Sequence, residues 1–393
     1  MNSRRMWILF ASLMLVMMGY GIAMPILPFY IEDLGGRGIH YGLLIACYAL
    51  MQFICAPIWG SLSDKHGRKP LLLIGMTGLG TTMLLFGLAT ELWMLYVAQL
   101  LSGCLSSAAV PAAQAYAADS TSPEDRGAAM GRIGGAIGLG VVIGPAVGGL
   151  LGSVSFSTPF FIASALCYLT FTIILTSLPE SLASDKRATT TKVRFTEPKE
   201  FWQVLHTPIG FGLIAAFVAN FGQSIFSGVF GLYAMARYNY GPEQVGTFFM
   251  AMGLMYAASQ GLVVGPLTKR IGEEKVMVIA LLGGALGFLL IILANSFVTL
   301  LLAMSCFILL NSLLKPSALS LVSKRAHTNQ GKSMGIAESY MSLGRITGPL
   351  WGGMIFDVNP VYPFVSGAIV FIAMFTVAVR RLDLKPNARL WAP

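Results

Sequence analysis

Apolar residues run through this chain in long unbroken stretches, and polar residues gather in short clusters between them. Twelve stretches are long enough to cross a bilayer core as helix, at 6–31, 40–63, 70–90, 93–118, 127–152, 157–178, 208–234, 241–268, 273–294, 297–322, 331–357 and 360–380. They are too long for barrel strands and do not alternate. One polar segment, 179–207, is different in kind. It holds Lys186, Arg187, Lys192, Arg194 and Lys199 among Glu180, Asp185, Glu197 and Glu200, with a Thr run at 189–191 and no apolar periodicity. It reads as a solvated linker with a short amphipathic piece around Phe201 and Trp202. The pattern predicts an all-α membrane protein of 12 transmembrane helices in two six-helix lobes, 1–178 and 208–393, the second ending in a short tail.

The two lobes carry one glycine pattern. Gly131, Gly140, Gly144, Pro145, Gly148 and Gly149 in span 5 recur as Gly335, Gly344, Gly348, Pro349, Gly352 and Gly353 in span 11, each 204 residues later. Glycines at helical spacing let helix backbones approach closely, and a proline inside a span frees a carbonyl and bends the helix. The halves are related, with hinge-like helices at matching places.

Composition agrees with a lipid solvent: 55% of residues are hydrophobic, 11% are charged, and mean hydropathy is +0.72. A net charge of +9 would suggest nucleic acid in a soluble protein, but here its placement speaks to orientation. With the N-terminus inside, 22 of the 26 Lys and Arg residues fall in inward segments, and only Arg37 and Arg237 fall in outward loops. Both termini are therefore expected in the cytoplasm of a cell membrane, and nucleic acid is not expected as a partner. Arg4 and Arg5 precede a first span too long for a signal peptide, and no convincing cleavage site follows it.

Catalytic chemistry has no candidate. The five cysteines, Cys47, Cys55, Cys104, Cys167 and Cys306, lie inside spans without metal spacing and read as packing residues, and no hydrolase, nucleotide-binding or metalloprotease signature occurs. Neither an enzyme nor a metal site is expected.

Between spans 2 and 3 stands Gly60-Ser-Leu-Ser-Asp64-Lys-His-Gly67-Arg68-Lys69-Pro-Leu71. This resembles the GxLxDrxGrkxxL loop of the major facilitator superfamily. The resemblance implies that Asp64 caps a helix of the opposite lobe and that Arg68 pairs with the acid ending span 4, here Asp119, together latching the cytoplasmic side. The equivalent loop of the second half begins at Gly265 and ends at Gly272, with Lys269 where Asp64 would be, so the latch is expected to be asymmetric. The glycine-proline pattern of span 5 is similar to the motif of the drug/proton antiporter branch. Gly21-Ile-Ala-Met-Pro25-Ile-Leu-Pro28-Phe-Tyr30, the segment from Pro111 to Asp119, and Arg126-Gly127 also resemble tetracycline and multidrug efflux members. One departure touches mechanism: the branch carries an arginine in an RxxxG pattern in span 4, and this chain has Gln99 before Gly103. A neutral amide cannot steer a carboxylate as a guanidinium would.

Inside the spans stand Glu338, Arg345 and Lys315. Charges there are costly and mark function by default. Glu338 and Arg345 are seven apart in span 11 and share a helix face. Lys315 in span 10 and Glu338 lie at matching depth, which permits an ion pair and would leave Arg345 without an evident acid. The sum of +1 favours an anionic, zwitterionic or metal-chelating substrate, met by Arg345. Asn220, Gln223, Phe226 and Phe230 in span 7, Gln52 in span 2, Gln260 in span 8 and Asn311 in span 10 are candidate cavity-wall residues. What the resemblance and these charges imply is a monomeric, proton-coupled exporter of small amphiphilic molecules, with Glu338 carrying the proton, the proton gradient as energy source and no cofactor. A dedicated exporter of an anionic metabolite such as a siderophore, and a non-transporting membrane receptor or scaffold, stay open.

Overall fold

A computed structural model describes the whole chain except residues 1–2, 123–124, 183–186, 188–197, 327–329 and 382–393. Part of the predicted linker, including Lys192, Arg194 and the Thr run, lies outside the described residues, as does the tail beyond Arg381. The described residues are helical and include no strand. The helices follow the predicted spans closely. Span 1 is α1 (Ser3–Ala23) with α2 (Leu27–Asp33), and spans 2 and 3 are α3 (Gly38–His66) and α4 (Arg68–Gly87). Span 4 is α5 (Leu92–Ser106) with α6 (Ala109–Asp119), and spans 5 and 6 are α7 (Arg126–Gly152) and α8 (Thr158–Ser177). After a short α9 (Pro198–Val204), span 7 is α10 (Gly210–Tyr238) and span 8 is α11 (Pro242–Ala258), a π turn (Ser259–Val263) and α12 (Val264–Ile271). Spans 9 to 12 are α13 (Glu273–Leu293), α14 (Phe297–Arg325), α15 (Gln330–Phe356) and α16 (Tyr362–Arg381).

Prolines explain the breaks. Pro28 can neither donate to the Met24 carbonyl nor avoid clashing with it, and span 1 parts at Met24–Ile26; Pro111 stands in the same relation to Ser107, where span 4 parts. Pro57, Pro145, Pro316 and Pro349 are carried inside continuous helices instead. Among the described residues, 11 helical spans are long and apolar enough to cross a membrane. The twelfth, α15, is 27 residues long, but Glu338, Arg345 and several small polar residues lower its hydropathy.

The chain packs into two compact units, Met1–Phe195 with Asn239–Gly253, and Thr196–Tyr238 with Leu254–Pro393. In each, the repeated glycines seat one helix pair backbone to backbone. A Cβ on Gly144 would lie 2.6 Å from the Met18 carbonyl oxygen and 2.9 Å from the Gly21 Cα, so only glycine lets α7 lie against α1 there. Gly348 does the same for α15 against α10, where a Cβ would lie 2.8 Å from the Phe221 carbonyl oxygen. Gly140, Gly148 and Gly344 extend these contacts, whereas Gly131 and Gly335 face open space. Gly149 packs on Pro242 and Gly246 of the first unit. The amphipathic piece predicted near Phe201 is α9: Phe201 stacks on Tyr340 at 4.8 Å, Tyr340 Oη donates to the Phe201 carbonyl at 2.6 Å, and Trp202 stands exposed.

Candidate functional site

At the α3–α4 turn of the first unit, Gly67 reverses the chain with φ of +104°, a left-handed conformation that favours glycine. Arg68 follows as the first residue of α4 and is nearly buried. Its guanidinium donates to Asp119 Oδ2 at 2.8 Å, Asp64 Oδ1 at 2.6 Å and Ser63 Oγ at 3.0 Å. Arg68 and Asp119 thus meet as the resemblance implies. Asp64, at the end of α3, is engaged by this same Arg68 across the turn. Gly60 has open space around it.

The sequence reading missed a third acid here. Glu180, placed in the solvated linker, accepts from the backbone N–H of Arg68 at 2.8 Å and Lys69 at 3.1 Å, as well as from Ser181 and Leu182 at its own turn. No residue next to α4 caps that helix, and a carboxylate from the far end of the lobe satisfies its first amides. Glu180 crowds Gly67 so closely that a Cβ would strike its carboxylate. Burial opposes ionisation of Glu180, but four backbone donors outweigh it and hold the carboxyl below its ordinary value of 4.5. Lys69 Nζ donates to the Leu175 carbonyl at 2.8 Å and Tyr116 Oη to that of Pro179 at 2.9 Å, tying α8 and its extension into the same cluster.

The second half repeats the arrangement with its charges inverted. Gly272 has φ of +84° at the place of Gly67. Glu273 stands at the place of Arg68 and Lys324 at the place of Asp119, each 205 residues on, and the two pair at 2.5 Å. Ser320 Oγ also donates to Glu273, and Arg325 pairs with Glu274 at 2.8 Å. Thr268, at the place of Ser63, has no partner for its hydroxyl, since Glu273 stands where Arg68 serves Ser63. The expected asymmetry is therefore one of sign, while the contact itself is kept.

Within the spans of the second unit, the charges pair differently from the expectation. Arg345 donates to Glu338 Oε1 at 2.6 Å and to Ser342 Oγ at 2.8 Å. Seven residues on one helix face bring the long arginine back over two turns to its acid. Arg345 is thus not left without an acid, and the permitted Lys315–Glu338 pair does not form. Lys315, half-buried on α14, makes no hydrogen bond or ion pair among the described residues, though the charges of Glu338 and Arg345 both act on it.

A polar network crosses the same unit. Asn311 Nδ2 donates to Gln223 Oε1 at 3.0 Å, and Gln260 Nε2 donates to the Ser312 carbonyl at 3.0 Å. The Ser312 hydroxyl donates to that of Ser259 at 2.5 Å. Ser259 and Gln260 belong to the π turn, where the widened helix brings them to α14. Asn220 bonds only its own helix, at the Ala216 carbonyl. The predicted α10 face divides. Asn220, Gln223 and Ser227 are half-buried, whereas Phe226 and Phe230 are fully buried and stack with each other at 4.9 Å, Phe226 also with Phe307 at 5.1 Å. These two phenylalanines are packing residues here, not cavity wall: ring stacking inside the lobe buries more apolar area than the face they were assigned to. Gln52 is half-buried on α3 in the first unit, and Gln99 is buried on α5, one turn from Gly103, whose backbone lies against α3.

Two glycine-seated helix pairs, inverted ion pairs at equivalent turns, and charges embedded in spans define a duplicated multi-span membrane protein of the transporter class. The chain belongs to the major facilitator superfamily, whose family model matches residues 9–260 and 212–391. It is 31% identical over 370 residues to "Multidrug resistance protein 2" of Bacillus subtilis, covering 93% of this chain and 92% of that one. It is 26% identical over 382 residues to "Quinolone resistance protein NorA" of Staphylococcus aureus, covering 95% and 96%. Among solved structures it resembles the nucleoside transporter NupG, with a TM-score of 0.82 at 14% identity, covering 96% of this chain and 100% of that one. The human organic anion transporter MFSD10 follows with a TM-score of 0.69 at 23% identity, over 96% and 100%. Such structural likeness carries the fold alone. The family and these efflux relatives make the chain a membrane transporter of the drug-efflux kind, not an enzyme.

Two predictions come from the turn clusters. Arg68→Glu sets a carboxylate against Asp64 and Asp119 and should lower the melting temperature in detergent sharply, since leaving a buried pair unmatched costs several kcal/mol. The triple change Asp64→Lys, Arg68→Glu, Asp119→Lys copies Lys269, Glu273 and Lys324 and should recover most of the loss; no recovery means the inverted pairs are not equivalent. Glu180 has a folded pKa below its unfolded one, so its stabilisation is complete above about pH 4.5 and is lost as pH falls through the folded value. Melts of wild type and Glu180→Gln should differ at neutral pH and converge in acid.

Proposed function

We propose that this protein is a proton-coupled exporter of small amphiphilic molecules, working by alternating access in a cell membrane with both termini in the cytoplasm. The observation that carries this reading is the Glu338–Arg345 pair inside α15, held at 2.6 Å on one face of a helix that also carries the repeated glycines. Glu338 is the acid placed deepest in the predicted spans, and its side chain is 56% exposed and not sealed within the lobe. Protonating Glu338 would cancel the pair and release Arg345; deprotonating it would restore the pair. A group that exists in two charge states, on a helix built to hinge, supplies a coupling step. Relatives named for multidrug and quinolone resistance support export of drug-like molecules. The positive-inside distribution of Lys and Arg supports the orientation. In this reading the ion pairs at Arg68 and Glu273 steady the cytoplasmic ends of the two lobes, and Asp64 carries the family's latch role. The proton gradient is the energy source, a monomer suffices, and no cofactor is required.

Purified protein in liposomes with an imposed pH gradient tests this directly. Wild type should accumulate a lipophilic dye against its gradient. Glu338→Gln should lose that uphill transport while keeping dye binding and downhill exchange. Full pH-driven transport by the Gln variant moves coupling away from Glu338.

A further inference from the structure

Resting on the transport reading, we propose that Lys315 and Asn311 form the subsite that reads substrate charge, selecting amphiphiles with a carboxylate next to a hydrogen-bond donor. Three observations in the second unit converge on it. Glu338 is taken by Arg345 at 2.6 Å, so of three intramembrane charges the ammonium of Lys315 is the one left over. Asn311, only 4% exposed, spends its amide N–H on Gln223 at 3.0 Å, and its Oδ1 is buried with no partner. Lys315 and Asn311 are four residues apart on α14, one turn, on one face about 6 Å apart along the axis.

A buried carbonyl oxygen without a donor and an ammonium without an ion pair are each costly in an apolar span. The two deficits are complementary to a single ligand group: an anionic oxygen for Lys315 and an N–H or O–H, a few bonds away, for Asn311 Oδ1. A lipophilic cation would satisfy Asn311 and be repelled by Lys315. A neutral amphiphile would leave Lys315 unmet. The neighbouring contacts favour a fixed site: Gln223 holds Asn311, and Ser312 beside it is held by Ser259 and Gln260 of the π turn. The anion-reading group is thus Lys315, with Arg345 reserved for Glu338.

The test uses full-length protein in detergent and two dyes, a rhodamine free acid and its methyl ester, which differ in one carboxylate. Binding is read by fluorescence anisotropy, with melting temperature checked for each variant. Wild type should bind the acid about tenfold more tightly than the ester, the size expected of one charged hydrogen bond. Lys315→Met should remove that preference by weakening the acid alone, Lys315→Arg should keep it, and Asn311→Leu should weaken both dyes. Equal wild-type affinity for the two dyes, or equal weakening of both by Lys315→Met in a stably folded variant, overturns the proposal. Loss of preference in Lys315→Arg as well also overturns it, since charge would not be what is read. Uphill transport of the ester in the same preparation reports separately on the exporter reading: transport without acid preference sinks the subsite alone, and acid preference without transport sinks the exporter reading alone.

Discussion

A charge placed in hydrocarbon must find a partner, and a backbone N–H there must find an acceptor. That constraint organises the charged residues of this transporter. At the turns, Arg68 gathers Asp119, Asp64 and Ser63, and Glu180 satisfies the opening amides of α4. Within the spans, Arg345 reaches two turns along α15 to Glu338. The helix pairs beneath these contacts are set by glycine, because Gly144 and Gly348 admit a neighbouring backbone where any Cβ would collide.

Duplication followed by divergence accounts for the inverted turn pairs. A salt bridge is indifferent to which helix supplies the cation, so Arg68–Asp119 in one half and Glu273–Lys324 in the other hold equivalent helix ends, at 2.8 and 2.5 Å. The surroundings are not indifferent. Ser63 serves the arginine, while Thr268 at the matching place has nothing to serve. Glu338, Arg345 and Lys315 lie in the second half, where the duplicated frame carries their chemistry.

The spans, the repeated glycines and the family were legible from hydropathy and spacing, because each depends on residues near in sequence or on a strict repeat. The Arg68–Asp119 pair was legible by resemblance. Glu180 was not, because a polar, aperiodic segment was read as solvent; the signal that pointed to it was an α4 N-terminus with no Ser, Thr or Asp to cap it. The Glu273–Lys324 pair was hidden because the halves were compared for identical residues, and the correspondence is one of opposite charge. The partner of Glu338 was misassigned for a different reason. Depth along the membrane can be counted from sequence, but the rotation of α14 against α15 cannot, whereas the shared face of Glu338 and Arg345 on one helix can. Phe226 and Phe230 shared a helix with Gln223 yet turned into the lobe core, where Phe307 receives them.

In the proposed cycle Glu338 carries the proton that drives export, by breaking and remaking its pair with Arg345. Binding to wild-type protein in weakly buffered detergent, followed with a pH indicator, tests that role most directly. Wild type should exchange protons with the medium when substrate binds, and Glu338→Gln should exchange none at matched occupancy. Equal proton exchange by both proteins would contradict it.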